Sequence, residues 1–212
     1  MESCQWHWFI VNIMVENILR KYDIILASAS PRRSQLLNEL GISFRIQAKH
    51  INEVFDEQLA PQAVAEYLSN LKAHSFSMNE INDNTLIITA DTIVTIDGII
   101  LGKPKDNEEA KNILQQLSGR SHQVITGVTL RSATKSKTFS VETKVFFKKL
   151  SDSEIDYYIK TFKPFDKAGA YGIQEWVGHA AIERIEGSYF NVMGLPTHRL
   201  YEELIAFATS KD

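Results

Sequence analysis

The segment SASPRR at residues 28–33 combines residue types that bind anions. It follows an apolar run and opens a predicted helix, with Ser30 at the N-cap position and a proline at the first helical position, where its missing N–H costs nothing. The free N–H groups at such a helix start attract anions, and Arg32 and Arg33 add planar charged groups that match phosphate oxygens. An ordinary capped helix with solvated arginines explains the segment equally well, so residues 28–33 alone leave both alternatives open.

A carboxylate stands inside a second apolar segment. Asp91 is embedded in LIITADTIV at 86–94, a pattern that predicts a strand. A carboxylate in such a strand is disfavoured unless it is paired, bound to a metal or catalytic. Asp91 is therefore the strongest single candidate for a general base or a magnesium ligand; the alternative is a structural carboxylate satisfied by a backbone group or an arginine.

Four further polar residues are weaker candidates. Lys103 follows a predicted hairpin and supplies a compact positive charge, whereas Lys72 lies on the apolar face of a predicted helix, where most lysines are merely solvated. Glu53 belongs to an acidic loop, which contributes to a cation site or simply keeps the loop soluble. Gln174, in a glycine-rich stretch, carries an amide that both donates and accepts, as recognition of a base edge requires.

Composition narrows the classes of function. The 212 residues, 44% of them hydrophobic, suffice for a sizeable core in one domain or two packed lobes. The formal net charge of −3 argues against a dedicated nucleic-acid binder. Cys4 is the only cysteine in the sequence, which fits a reducing cytosol, so we expect a cytoplasmic protein. The sequence has no zinc-type histidine spacing, nucleophile elbow, Walker loop or dinucleotide fingerprint, which disfavours the corresponding chemistries.

The apolar stretch at 6–15 raises the question of a signal peptide or a membrane anchor. It is shorter than the roughly 20 apolar residues of a spanning helix, and Glu2 stands where a secretory signal would carry positive charge. We therefore expect no membrane association. We also expect residues 1–13 to be an extension outside the fold, or the product of an upstream start codon, and 14–212 to form a single domain.

The predicted elements that position these residues mix helices and strands. Strands are expected near 24–28, 43–47, 85–95, 99–101, 123–132, 138–150 and 180–185, and helices over 31–40, 61–78, 106–118, 151–162 and 196–207. The dipeptide Asp97-Gly98 predicts a hairpin turn. This pattern indicates an α/β fold with a mixed, twisted central sheet flanked by helices, in two lobes with a cleft between them.

Taken together, these segments resemble the Maf family of nucleoside triphosphate pyrophosphatases, also called septum formation inhibitor proteins. The resemblance covers about residues 23–208 and rests on the order and spacing of seven segments, at 28–33, 68–73, 90–92, 102–104, 122–128, 169–174 and 187–196. It implies hydrolysis of a nucleoside triphosphate between the α and β phosphates, giving the monophosphate and pyrophosphate, with a divalent metal cation, Mg²⁺ or Mn²⁺.

The resemblance also implies roles for individual residues. Asp91 matches the family's proton acceptor, and together with Glu53 it is expected to hold the metal. The residues that match phosphate-handling positions are Ser28, Arg32, Arg33, Lys72 and Lys103. In the acidic loop, Asn52 stands where many relatives carry Asp, which predicts a lower metal affinity here. The sequence leaves open whether Asp91 mainly binds metal or mainly takes the proton.

Three positions divide the family by substrate. They are Arg32, Thr92 and Gln174 here, a combination similar to the subfamily that acts on dTTP and UTP rather than on 7-methyl-GTP. Modified pyrimidine nucleotides are equally compatible substrates. The rival reading is a nucleotide-sensing regulator of cell division or septum formation whose turnover is incidental. The resemblance also raises homodimerisation, for which the sequence shows no interface signature.

Overall fold

The computed structural model describes residues 17–210, and its strands form one mixed sheet. In the described residues the seven strands are β1 (Asp23–Leu26), β2 (Arg45–Ile46), β3 (Thr85–Ile96), β4 (Ile99–Leu101), β5 (Ser121–Arg131), β6 (Ser136–Phe147) and β7 (Ile182–Glu186). Their order is β2-β1-β3-β5-β6-β7, with β4 paired to β3. The strand β1 is parallel to β2 and β3, and the other pairs are antiparallel. The predicted mixed α/β sheet is confirmed, whereas the predicted extension at 1–13 lies outside the described residues.

Helices flank the sheet. They are α1 (Pro31–Glu39), α2 (Pro61–His74), α3 (Asn107–Leu117), α4 (Asp152–Phe162), α5 (Trp176–Ala180), α6 (Tyr189–Met193) and α7 (Thr197–Thr209). The five longer helices were predicted from apolar spacing together with cap and proline residues at their starts, whereas α5 and α6 are too short to show such a pattern. Within residues 17–210, no helix has both the length and the apolar character needed to cross a bilayer.

Helix α2 ends four residues earlier than predicted. The Arg131 guanidinium on β5 donates hydrogen bonds to the carbonyls of Ala73 and Phe76, at 2.8 and 2.9 Å. The hydroxyl of Ser75 donates to the Lys72 carbonyl at 2.7 Å. These bonds satisfy carbonyls that a continuing helix would use, so the chain leaves the helix at His74.

One main hydrophobic core joins the two halves of the chain. It contains Leu26 and Leu36 from the first half and Leu200 and Phe207 from the last helix, all packed against the same sheet. The two predicted lobes, the first and second halves of the chain, therefore share one sheet and one main core. The cleft lies over a sheet edge that both halves border.

Strand β3 has an uncovered edge in its middle. β1 pairs with residues 85–88 and β4 with residues 94–96, both on the edge that faces away from β5. Between them, residues 89–93 have no strand neighbour on that edge in the described part of the chain. A gap of this kind leaves room for a ligand beside the strand.

The two faces of β3 meet at this gap. Because side chains alternate along a strand, Asp91 and Thr92 point to opposite faces. Asp91 contacts Lys72 of α2, whereas Thr92 accepts a hydrogen bond from Arg33 of α1 at 3.1 Å. A ligand at the uncovered edge can therefore contact groups from both faces of the sheet.

Helix α2 crosses the sheet unusually closely at Gly127, which pairs with Asp91 in the β3–β5 register. A Cβ atom built on Gly127 would lie 2.2 Å from the Ala65 carbonyl oxygen. Only glycine permits this approach. The close crossing brings α2, which carries Lys72, onto the strand pair that carries Asp91.

Candidate active site

The structure brings all nine predicted site residues to one region, a cleft and an adjoining groove at the uncovered edge of β3. The cleft is lined by Arg32, Arg33, Lys72, Asp91, Thr92, Lys103 and Gln174. The groove shares four of these residues, the cations, and adds Ser28 and Glu53. Four cations from three separate segments of the chain therefore converge beside Asp91.

Lys72 bridges the two predicted metal ligands. Asp91, with 8% of its surface exposed, receives a hydrogen bond from the Lys72 ammonium. The same ammonium lies 2.9 Å from a carboxylate oxygen of Glu53. Although partial burial raises it, the hydrogen bond and charge of Lys72 lower the pKa of Glu53 below its usual value. Glu53 is therefore a carboxylate at neutral pH.

The donor set fits a hard divalent cation that binds with substrate. Within residues 17–210, no group of three or more acidic, histidine or cysteine side chains could hold a metal by itself. Mg²⁺ is commonly held by one or two carboxylates together with substrate phosphates and waters. Asp91 and Glu53 supply two such carboxylates.

Arg33 is fixed by three hydrogen bonds. Its Nε donates to the Gly194 carbonyl at 2.9 Å, one Nη to Thr92 Oγ1 at 3.1 Å, and the other to Ser28 Oγ at 3.4 Å. Desolvation by burial lowers the pKa of Arg33 from its usual value, and the nearby Asp91 charge opposes that effect. Arg33 thus ties α1 to β3 and to the turn after α6, and presents its charge at the cleft.

The start of α1 differs from the prediction in one detail. Ser30 occupies the N-cap position in an extended conformation, but within the described residues its hydroxyl makes no capping hydrogen bond. Instead the Ser30 N–H donates to Ser28 Oγ at 3.2 Å. The backbone N–H groups of the first turn are therefore left for an anion, which is the arrangement that favours phosphate binding.

Arg32 and Lys103 both line the cleft, but only Arg32 is paired with another side chain in residues 17–210. Arg32 forms an ion pair with Asp166 at 3.0 Å, across the cleft from α1. Lys103 is exposed and has no hydrogen-bond or ion-pair partner among residues 17–210. Its charge nevertheless contributes to the lowered pKa of Glu53, behind the larger effect of Lys72. Lys103 is the site cation that a phosphate could engage without displacing another contact.

The three substrate-dividing positions line the same cleft. Thr92 shares a 2.9 Å hydrogen bond with Thr126, which in turn donates to the Asn191 carbonyl at 3.1 Å. Gln174 lies on the opposite wall, and its buried Oε1 has no hydrogen-bond partner in residues 17–210. A buried amide oxygen without a partner is costly unless a ligand supplies one.

Tyr171 forms part of the apolar floor between these walls. Its hydroxyl and His122 Nε2 are 2.7 Å apart, and the His122 ring packs edge-on against Tyr171 and Phe147. Burial lowers the pKa of His122 to about 4, so this imidazole is neutral at physiological pH. It supports the floor and carries no charge into the cleft.

The sequence did not single out Asp166, Lys167, Glu175 or Tyr158, which surround the segment that carries Gln174. Lys167 contacts both carboxylates, Asp166 at 2.7 Å and Glu175 at 3.0 Å. The available signal was the adjacent charged pair Asp166-Lys167 directly before the glycine-rich stretch. The role of this pair is visible only in the structure, because Asp166 contacts Arg32, which is 134 residues away in the chain.

Comparisons with known proteins agree with the resemblance. The family model described as Maf-like protein matches residues 23–207. A dTTP/UTP pyrophosphatase of Porphyromonas gingivalis is 51% identical over 199 residues, which make up 93% of this chain and 100% of that protein. A protein of the same name from Phocaeicola vulgatus is 50% identical over 192 residues, 90% of this chain and 98% of that protein. Among solved structures, the Staphylococcus aureus Ham1 protein matches with a TM-score of 0.42 and 13% identity, covering 59% of this chain and 71% of that one. Since the family model spans most of the chain and relatives of nearly full coverage are half identical to it, this chain belongs to the Maf-like protein family.

Proposed function

We propose that this protein hydrolyses dTTP and UTP between the α and β phosphates, releasing the nucleoside monophosphate and pyrophosphate. The relatives named dTTP/UTP pyrophosphatase support the reaction and the substrate. The observation that carries the proposal is the nearly buried Asp91 among four cations at the uncovered edge of β3. A triphosphate needs such a set of positive groups, because its hydrolysis depends mainly on positioning and charge neutralisation.

We expect groups at both faces of β3 to bind the phosphates. The uncapped N–H groups of α1, together with Arg33 and Ser28, hold phosphoryl oxygens on one side. Lys103 reaches the triphosphate from the loop after β4, and Lys72 can exchange a carboxylate for a phosphate oxygen. Arg32 joins them once a phosphate competes with its present partner.

Asp91 is the group suited to take the proton. A water that attacks the α phosphorus must lose a proton as the bond to pyrophosphate breaks, and a carboxylate within hydrogen-bond reach accepts it. Asp91 lies at the cleft with only part of its surface exposed, next to an ammonium that compensates its charge. This position allows a carboxylate to face phosphates that would otherwise repel it.

The proposal includes a divalent cation, Mg²⁺ or Mn²⁺, held by Asp91 and Glu53. When bound, the cation would neutralise phosphate charge and lower the pKa of a bound water. Asn52 precedes Glu53 and supplies an amide rather than a second acid, so we expect weak metal affinity in the absence of nucleotide.

The base is expected to contact Gln174 and the apolar floor. Uracil and thymine present an N3–H donor beside a carbonyl acceptor, and a single amide can satisfy both with its oxygen and its NH₂ group. The unpartnered Gln174 Oε1 is the acceptor that such a base would satisfy. Cytosine presents an acceptor at N3 and a donor at its 4-amino group, the reverse order, so an amide held in the orientation that fits uracil mismatches cytosine. A methyl group at the base 5-position contributes only about 1 to 3 kcal/mol in an apolar pocket, so methylated or otherwise modified uridine nucleotides remain within the proposal.

A substrate panel tests the proposal. Pyrophosphate release is measured from dTTP, UTP, dCTP and dGTP at equal concentration with Mg²⁺, and Asp91→Asn serves as the inactive control. We expect fast release from dTTP and UTP, and a loss of about 10²- to 10⁴-fold in the control. Tight dTTP binding without release would favour the nucleotide sensor instead.

Cellular context follows from the substrate and belongs to the same proposal. An enzyme of free nucleotides works in the cytoplasm without nucleic acid or membrane, in keeping with the net charge of −3. Homodimerisation stays a prediction from the resemblance, which light scattering of the purified protein would check.

A further inference from the structure

A nearly buried lysine links both walls of the cleft. Lys167 retains 8% of its exposure and lies between two carboxylates, 2.7 Å from Asp166 and 3.0 Å from Glu175. Asp166 continues the chain of contacts to Arg32 on α1. Burying an ammonium is unfavourable unless it is paired, so Lys167 depends on the two carboxylates beside it.

Glu175 is also held from the far side. Its second carboxylate oxygen accepts a hydrogen bond from the hydroxyl of Tyr158, whose side chain is 1% exposed on α4. Burial, reinforced by the Glu175 hydrogen bond, raises the pKa of Tyr158, so the hydroxyl remains a donor. That hydroxyl in turn accepts from the Gly172 N–H at 3.0 Å. Glu175 is thus anchored to a helix of the main core.

Gln174 belongs to a turn formed by residues 172–175. The Glu175 N–H donates to the Gly172 carbonyl at 3.0 Å. A Cβ atom on Gly172 would lie 3.0 Å from both the Gln174 amide nitrogen and the Glu175 carboxyl carbon. The Gln174 amide therefore rests directly against a backbone that Glu175 and Tyr158 hold in place.

The segment before the turn is pressed onto the sheet with strained backbone. Gly169 and Ala170 both have positive φ, 72° and 57°, and a Cβ on Gly169 would lie 2.9 Å from Val94. The Gly169 N–H donates to the Gly102 carbonyl at 3.1 Å, next to Lys103. An alanine keeps this conformation only where its surroundings impose it.

We propose that Lys167 and Glu175 are positioning residues that fix the Gln174 amide for base recognition and, through Asp166, align it with Arg32. The inference deepens the proposed function and rests on it. Two hydrogen bonds to one base edge require the amide to be held within about 0.5 Å, which a turn free to move does not provide. Neither positioning residue contacts Asp91 or Lys72 in the described structure, although Lys167 lines the same cleft, so we expect base selectivity to fall more than the rate of hydrolysis.

The test measures selectivity rather than activity alone. For Lys167→Met we expect the ratio of kcat/KM for dTTP over dCTP to fall on the order of tenfold, mainly through a higher KM for dTTP. Tyr158→Phe removes only a hydroxyl, keeps the buried ring, and should lower the same ratio by less. Lys167→Arg should restore much of the ratio. Lys111→Met breaks a surface ion pair with Asp156 and serves as the matched control, with no change expected.

A double-mutant cycle separates positioning from general destabilisation. In a Gln174→Met background the amide is gone, so Lys167→Met should lower the selectivity ratio no further. Equal losses with and without the Gln174 amide would overturn the inference, as would an unchanged ratio in both Lys167→Met and Tyr158→Phe.

The proposed function can fail separately. If the wild type releases no pyrophosphate, dTTP is a stable ligand, and the same variants are compared by calorimetric Kd for dTTP and dCTP. A wild-type preference for dTTP that Lys167→Met weakens would support the inference even then. A wild type with no preference for dTTP in either assay would overturn it.

Discussion

Replacing Gly127 by alanine tests whether the close crossing of α2 over the sheet sets the active-site geometry. The new Cβ would lie 2.2 Å from the Ala65 carbonyl oxygen and 2.4 Å from its carbonyl carbon. Contacts below 3.0 Å essentially do not occur, so α2 and β5 have to separate by about 0.8 Å or more. The obstacle is backbone, so trimming the Ala65 side chain cannot relieve it.

The expected cost follows from this displacement. Overpacking of this kind destabilises by about 1 to 3 kcal/mol, which for a chain of this size lowers Tm by roughly 2 to 12 °C. Lys72 lies two helical turns beyond Ala65 on the same rigid helix. It would therefore move away from Asp91, and a shift near 1 Å in such a group costs up to about 10²-fold in rate.

Calorimetry and pyrophosphate release from dTTP measure the two effects on the same preparation. Gly102→Ala is the matched control for stability, because a Cβ there meets nothing within 4 Å. We expect Gly127→Ala to melt lower and to lose kcat, with Gly102→Ala melting as the wild type does. A Gly127→Ala protein with wild-type Tm and wild-type kcat would refute the argument that this crossing holds Lys72 in place.

Three further predictions concern the site and its floor. Asp91→Asn should lower kcat by about 10²- to 10⁴-fold at saturating Mg²⁺, because no carboxylate remains there to take the proton; full activity would show that Asp91 is neither base nor metal ligand. Lys103→Met should raise KM for dTTP several-fold, because a phosphate contact is lost. Tm should not change, because Lys103 has no partner within residues 17–210, and a drop in Tm would show that it has one. The pKa of His122 is about 4 in the folded protein and 6.5 in a free chain, so between these values only the unfolded state takes up the proton. The free energy of unfolding should therefore fall by about 3 kcal/mol as pH drops from 6.5 to 4, and His122→Gln should flatten that slope in denaturant titrations.

Sequence patterns predicted the parts of the site that local chemistry marks. Asp91 stood out because a carboxylate inside an apolar strand is costly, and residues 28–33 stood out because a proline and two arginines open a helix. The long helices and strands were predicted with their ends displaced by a few residues, since periodicity defines a face better than an end. That all nine residues meet in one region depended on the resemblance to the family rather than on any single motif.

Contacts between distant segments could not be predicted in the same way. The ion pair of Arg32 with Asp166 and the pairing of Lys167 with Glu175 involve charged residues that look like solvated surface in the sequence. The sequence predicted that the Ser30 hydroxyl would cap α1, but within residues 17–210 it makes no capping hydrogen bond, and the Ser30 N–H donates to Ser28 Oγ. Such choices are settled by tertiary packing, which a local pattern does not contain.

In the part of the chain that the structure describes, one edge of β3 lacks a strand neighbour along residues 89–93, which has a consequence for protein engineering. Redesigns that raise thermal stability commonly add backbone pairing and fill open space, and here both would be aimed at the place where we propose that the nucleotide binds. Screening for heat resistance alone should therefore select variants in which the gap beside residues 89–93 is filled. Stabilising substitutions are better placed in β6, β7 and α7, away from the gap beside residues 89–93 of β3.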